Sequence, residues 1–133
     1  MKAIKASIVR ALPHTANVVV CDNSGARILR IISVYGHKTV KGRQSSAAIG
    51  DLVNGAVIEG KQDIRKTVVQ AVVVRQKKEY RRLDGTHIKF EDNAVALIKD
   101  DLGNPKGTMI KGPIAKEAAE RWPAVSKIAS MII

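Results

Sequence analysis

A mainly β chain, built as a small antiparallel barrel with a short helical end, is the fold class that three observations predict. Short runs of β-branched residues follow one another up to about residue 110, glycine-bearing turns separate them, and no helical pattern intervenes. Val72, Val73 and Val74 stand in succession, which implies a strand covered on both faces, as in a closed barrel partly overlain from outside. A barrel is therefore preferred to an open sandwich. Beyond residue 112 the apolar spacing changes to that of helix.

The elements follow in order. "ANVVVCD" and "ARILRIISVYG" flank "CDNSGA", whose Asn, Ser and Gly supply turn geometry, so they read as a hairpin or a tight strand connection. "HKTVKGRQSSAAIGD" is polar, basic and glycine-punctuated, an extended loop. "DLVNGAVIEG" and "KTVVQAVVVRQKK" are two further strands joined by the basic loop "GKQDIRK". "HIKF" and "NAVALIK" follow, then the turn "DDLGNPKG" leads into "TMIKG". Pro113 suits the first turn of a helix over "IAKEAAERW", which Pro123 stops. In "PAVSKIASMII", Val125, Ile128, Ala129 and Ile132 fall at three- and four-residue spacing, which predicts a second amphipathic helix. The chain reads as one domain, residues 1–112 forming the barrel with its basic loops and ribbon and 113–133 a helical appendage. At 133 residues it can bury about two-thirds of its unfolded surface around one core.

Charge narrows the function. The net charge is +11, and residues 1–90 hold 17 Lys or Arg against 6 Asp or Glu, whereas residues 91–133 hold 6 of each. Such an imbalance calls for a polyanion, and nucleic acid is preferred to a membrane because no basic amphipathic helix accompanies it. The lone cysteine, Cys21, excludes an internal disulfide and suits a reducing, cytosolic setting. The N-terminal "MKAIKASIVRAL" lacks an apolar run of signal-peptide length, and no segment approaches the roughly 18 apolar residues of a membrane span.

The densest basic segment is "RQKKEYRRLDGTHIKF", with six Lys or Arg among sixteen residues and only Glu79 and Asp84 opposing them. Asp84-Gly85 suits a two-residue type I′ turn. That register places Tyr80 opposite Lys89 and Arg82 opposite His87, so that Lys78, Tyr80, Arg82, His87 and Lys89 share one cationic face while Leu83, Ile88 and Phe90 take the other. Arg can fork onto a phosphate, Lys acts as a mobile point charge, and Tyr offers a stacking plane. The competing reading is an ordinary solvated hairpin, since edge cations also prevent aggregation.

Two further clusters are less specific taken singly. Lys38, Lys41 and Arg43, with His37, Thr39, Ser45 and Ser46, make a polar loop that could order on RNA or simply stay mobile. Lys61, Arg65 and Lys66 make the third. Arg27 and Arg30 interrupt the two faces of a strand; they either pair inside with Asp22 or Asp51 or emerge at the barrel end onto phosphate.

Catalytic chemistry finds no support in the spacing. "GHKTVKG" lacks the G-x-x-x-x-G-K-[ST] pattern of a phosphate-cradling loop. Cys21 ends an apolar strand, where a buried inert thiol is the common case, and one Cys with three scattered His gives no zinc spacing. Glu91-Asp92 and Asp100-Asp101 border turns. Neither a cofactor nor a metal is expected.

"CDNSGAR", "AVVVRQKKEYRRLDGTHIKFEDNAVAL" and "GTMIKGPIAKE" together resemble the universal large-subunit ribosomal protein family number fourteen, over nearly the whole chain. The start "MKAIKASIVRAL", the lengthened "HKTVKGRQSSAAIGD" and the ending "AKEAAERWPAVSKIAS" resemble its archaeal and eukaryotic branch, and the absence of a longer N-terminal tail points to the archaeal side. The resemblance implies a five-stranded barrel with a protruding ribbon and C-terminal helices. It also implies a place on large-subunit ribosomal RNA at the face meeting the small subunit, near the sarcin-ricin loop. A share in intersubunit bridges with small-subunit RNA, contacts with neighbouring large-subunit proteins, and no catalytic residue or cofactor follow too. Position by position, Arg27, Arg75, Lys77, Arg81, Arg82 and Lys89 become RNA-contact candidates. Many relatives carry a basic residue where Met109 stands, so Lys111 is the nearer substitute there.

The expected role is thus a structural constituent of the large ribosomal subunit, in the cytoplasm. Two rivals are weighed against it. A free single-stranded RNA-binding barrel, such as a translation factor or RNA chaperone, would need an aromatic platform, and only Tyr35, Tyr80, Phe90 and Trp122 are available. A protein-docking module would use the neutral C-terminal third.

Overall fold

The structure, a computed structural model, describes residues 3, 4 and 6–133; Met1, Lys2 and Lys5, part of the N-terminal stretch read for a targeting signal, lie outside them. In chain order the elements are β1 (Leu12–Pro13), β2 (Asn17–Val20), β3 (Ala26–Val34), β4 (Ser46–Ala47), β5 (Leu52–Gly60), β6 (Val68–Arg75), β7 (Tyr80–Arg81), β8 (His87–Ile88), β9 (Ala94–Ile98), β10 (Ile110–Ile114), α1 (Lys116–Arg121), α2 (Pro123–Lys127) and β11 (Ala129–Ile132). Strands β2, β3, β5, β6 and β9 close into a five-stranded barrel. Its neighbours are antiparallel except at the closing seam, where β2 runs parallel to β9, Val19 opposite Ala94 and Val20 opposite Val95. The ribbon is a separate two-stranded sheet, β7 with β8.

The triple valine behaves as its sequence requires. All of β9 and the second half of β6 are buried, so both faces of this wall are covered, one by the barrel interior and the other by the C-terminal elements. Trp122, 1% exposed, lies outside the barrel and donates its indole N–H to the Gly50 carbonyl (2.8 Å). Its ring packs so closely on Gly103 that a Cβ there would overlap it.

The C-terminus departs from expectation at two points. Pro113 lies in β10 and the helix starts only at Lys116, because Ala115 and Ile114 are committed to other partners: Ala115 N–H donates to Val74 O (3.0 Å) and Ile133 N–H to Ile114 O (2.9 Å). The second predicted helix stops at Lys127. Ala129–Ile132 is a strand, parallel to β10, with Met131 opposite Pro113 and Ile132 opposite Ile114. The helical spacing holds only in part: Val125 is buried, Ile128 and Ala129 pack against the core, and Ile132 faces solvent. The backbone donors that a helix would use internally are taken by β10 instead.

Candidate nucleic-acid interface

One group of cations is assembled at a barrel end by a turn that side chains build. Asp22 accepts the Ser24 N–H (3.1 Å) and hydroxyl (2.5 Å) on one oxygen and the Leu97 N–H (2.8 Å) on the other, which ties the β2–β3 turn to β9. Gly25 takes a positive φ of 101°, and its carbonyl accepts the Lys61 N–H (3.1 Å), so the β5–β6 loop closes on the turn. The Lys61 stem lies along the glycine, where a Cβ would stand 3.1 Å from Cδ. Asn23 brings up the segment before β10, donating to the Thr108 hydroxyl (2.7 Å) and accepting the Thr108 N–H (2.8 Å). Lys111 then donates its N–H to Cys21 O (2.7 Å).

Arg27, Lys61 and Lys111 consequently converge on two adjoining depressions of about 340 and 530 Å³, with Asp22 between them and Glu59 at one rim. Arg65 and Lys66 occupy the same β5–β6 loop, and Lys66 holds a left-handed φ of 65°. Arg27, Lys61 and Lys111, which lie 34 to 84 positions apart in sequence, thus meet at one site.

The two alternatives open for Arg27 and Arg30 are decided by geometry. Both are exposed, and neither pairs with Asp22 or Asp51: Asp22 serves the turn, and Asp51 takes Arg121 (3.1 Å). Among the described residues Arg30 donates only to Asn17 Oδ1 (3.2 Å), its cross-strand neighbour. In the β3–β4 connection Lys38, Lys41 and Arg43 all face solvent, and His37 anchors the loop's base through Nδ1 against the Ser46 backbone (3.0 and 3.1 Å). Arg10, which the sequence reading passed over, reaches His37 Nε2 at 3.3 Å.

The ribbon differs from its expected register by one residue. Tyr80 pairs with Ile88 and Arg81 with His87. Only Gly85 has positive φ (92°), its N–H donates to Arg82 O (3.0 Å) and Arg82 N–H to Thr86 O (2.9 Å). That is a three-residue loop with a glycine bulge in place of the two-residue turn. Asp84 stabilises it by accepting the Thr86 hydroxyl (2.7 Å) and N–H (3.0 Å), which hold its carboxyl below the usual range. A one-residue slip exchanges the faces. Arg81 and His87 therefore share the solvent side, and Tyr80 goes to the core with Ile88.

Three of the expected contact residues are consequently bound to the protein itself. Arg75 is 8% exposed and forks onto Asp92 (2.8 and 3.2 Å) while donating to the Lys111 and Pro113 carbonyls (2.9 and 3.1 Å). Tyr80 is 1% exposed, so it offers no stacking plane, and its hydroxyl donates to Glu117 (2.8 Å). Burial, then the adjoining carboxylate, raises its pKa well above the ordinary phenol. Arg82 donates Nε–H to Glu117 Oε1 (2.8 Å) and an Nη2 hydrogen to Ile133 O (2.6 Å). Burial works against its charge, but the bonds to Glu117 and Tyr80 outweigh it and raise its pKa. His87 rests on Glu79 (2.7 Å). Lys77, Lys78, Arg81 and Lys89 remain exposed, with no ion pair among the described residues.

The sequence reading also missed Glu117. Helical spacing gave no signal for it: three and four residues away stand Ile114 but also Glu120 and Arg121, so Glu117 reads as part of a polar helix face. Elsewhere the interior is chemically quiet. Cys21 donates to Val95 O (3.3 Å), and burial pushes its thiol up to about 12. Among the described residues no group of three His, Cys, Asp or Glu is placed to hold a metal ion.

The family model for ribosomal protein L14p/L23e matches residues 11–133. The chain belongs to this family. It is similar to the large ribosomal subunit protein uL14 of Nanoarchaeum equitans, with 60% identity over 133 residues and complete coverage of both chains. It is also similar to the proteins of that name from Methanococcus vannielii (48%) and Methanococcus maripaludis (47%), each over 99% of both chains. These archaeal relatives agree with the branch that the sequence resembles. The five-stranded barrel with ribbon and short helices is likewise the fold that the resemblance implied.

Proposed function

We propose that this protein is a structural constituent of the large ribosomal subunit that holds ribosomal RNA by its phosphates. The observation that supports the reading best is the state of its cations. Arg27, Lys61, Arg65, Lys66 and Lys111 at the barrel end, Lys38, Lys41 and Arg43 in the β3–β4 loop, and Lys77, Lys78, Arg81 and Lys89 on the ribbon are exposed and outside every ion pair among the described residues. Two unit charges about 4 Å apart repel by roughly 1 kcal/mol even in water, so such clusters favour an external anion. Arg30 joins them on the flank of β3.

The mechanism is charge neutralisation without a chemical step. Cations on turns braced by Asp22, Asn23 and Gly25 engage separate RNA segments, and the barrel keeps those segments at fixed spacing. RNA shape, more than base edges, then sets specificity. The whole chain works as one domain in the ribosome, a cytoplasmic particle. Its RNA-bearing side faces the small subunit and shares in intersubunit bridges, while other surfaces meet neighbouring large-subunit proteins.

A free single-strand binder is disfavoured by burial. Tyr80, Phe90 and Trp122 are interior, which leaves Tyr35 (53% exposed) as the sole aromatic available for stacking. The test is the affinity of the full chain for large-subunit ribosomal RNA as salt is varied. With about six phosphates engaged, affinity falls roughly a thousandfold between 50 and 200 mM salt. An affinity indifferent to salt would remove the mechanism.

A further inference from the structure

We propose that Tyr80, Arg82 and Glu117 form an internal latch that orients the ribbon, so that Tyr80 and Arg82 are positioning residues and the RNA is gripped by Lys77, Lys78, Arg81 and Lys89. The inference rests on the RNA-holding function proposed above and divides the ribbon's basic residues into two roles.

The ribbon cannot hold its own shape. Its sheet consists of two residue pairs, and an isolated two-stranded hairpin is marginal in water. Its base is pinned by the Lys77 N–H on Asn93 Oδ1 (2.8 Å) and the Phe90 N–H on Gln76 O (3.1 Å), and the paired residues beyond it are fixed by the contact with α1. Glu117, 7% exposed, receives the Tyr80 hydroxyl on Oε2 (2.8 Å) and Arg82 on both oxygens (2.8 and 3.3 Å). The Arg82 guanidinium also stands 5.9 Å from the Tyr80 ring centroid. Through Nη2 it reaches Ile133 O, which the Lys116 N–H shares (2.8 Å), so ribbon, helix and last strand meet at one side chain.

Electrostatics assigns the roles. Glu117 cancels the charge of Arg82 at contact distance, whereas Arg81, one residue away and directed to solvent, has no carboxylate within ion-pair reach among the described residues. A neutralised guanidinium displaces no counterion from RNA; a free one does. Arg82 therefore contributes by pre-organising its neighbours, which lowers the ordering cost of binding.

The salt slope of binding separates the two roles. Full-length Arg82→Leu and Arg81→Ala are titrated with protein-free large-subunit ribosomal RNA across salt concentrations. Arg81→Ala reduces the magnitude of the log–log slope by about 0.7 to 0.9. Arg82→Leu weakens affinity about tenfold with the slope unchanged, and Arg82→Leu combined with Glu117→Leu regains most of it, because an apolar pair can replace a buried ion pair. A slope lowered by Arg82→Leu, with no recovery in the double variant, makes Arg82 a direct contact and overturns the proposal.

Should the single variant not fold, Tyr80→Phe removes only the hydroxyl that Glu117 receives. Faster exchange of the Arg82 amide, with the slope intact, supports the latch; exchange as in the wild type overturns it. If the wild-type protein shows no salt-dependent binding at all, the RNA-holding function itself fails, and the amide exchange still judges the latch.

Discussion

The barrel end and the ribbon carry similar cations on different supports. At the barrel end, Arg27, Lys61 and Lys111 rise from strands and turns whose backbone is bonded into a closed sheet. On the ribbon, Arg81 rides on two residue pairs held down by one buried carboxylate, and Lys77, Lys78 and Lys89 flank them on a base held by a few bonds to Gln76 and Asn93. The difference teaches that a cation's usefulness depends on what stiffens its backbone. A closed barrel does this with many weak bonds, a protruding hairpin with few strong ones. Damage to the first should be local, and damage to the second should spread along the whole ribbon.

Glu117→Ala tests that contrast with the largest effect. It leaves the Arg82 charge and the Tyr80 hydroxyl without their acceptor, at a cost of about 3 kcal/mol in urea unfolding. Lys61→Ala and Arg27→Ala, both exposed and unpaired among the described residues, should each stay within about 0.5 kcal/mol of wild type. Equal losses in the two regions would erase the distinction.

Gly60→Ala attacks the stiff region from within. A Cβ at Gly60 would lie 2.7 Å from Gly25 O and 2.9 Å from Ala26 Cα, both backbone, so the end of β5, and with it Lys61, must move away from the β2–β3 turn. A loss of about 2 kcal/mol is expected, together with weaker RNA binding. Thermal unfolding and binding measured on one preparation check both.

Alkaline pH addresses the latch alone. The Tyr80 pKa is raised in the folded protein above its unfolded value near 10, so the neutral phenol stabilises the fold below pH 10. That contribution is lost as pH rises beyond 10. Ribbon amides should therefore exchange faster above pH 10, relative to barrel amides and after correction for the intrinsic rate. A uniform change across the molecule would contradict this.

The smallest effect belongs to Lys66, whose φ of 65° is a conformation that glycine adopts without strain. Lys66→Gly should stabilise the fold by up to about 1 kcal/mol while lowering RNA affinity. A variant that gains stability and binds as tightly as wild type would remove Lys66 from the contact set.

Much of this division was legible in the sequence, and the remainder was hidden for identifiable reasons. The valine run around Val72 marks a doubly covered strand, and "CDNSGA" marks a turn, because both signals are local. The register of "RRLDGTHI" was not legible. Asp84-Gly85 serves a two-residue turn or a three-residue loop equally well, and the buried partner of Tyr80 lies on a helix 37 residues away. The strand character of Ala129–Ile132 was hidden for the same reason, since its partner β10 competes with a helical pattern that the local spacing favours. Arg75 looked like its neighbours in a basic run, and only the fold brings Asp92 and two carbonyls to it.

Lysine acylation, compared between the free protein and purified large subunits, tests the central claim most directly. Lys61, Lys66, Lys77, Lys78, Lys89 and Lys111 are exposed in the isolated chain and should react there, become protected in the subunit, and recover after nuclease digestion. If these lysines react in the intact subunit as fast as in the free protein, no polyphosphate lies against them and the account is wrong.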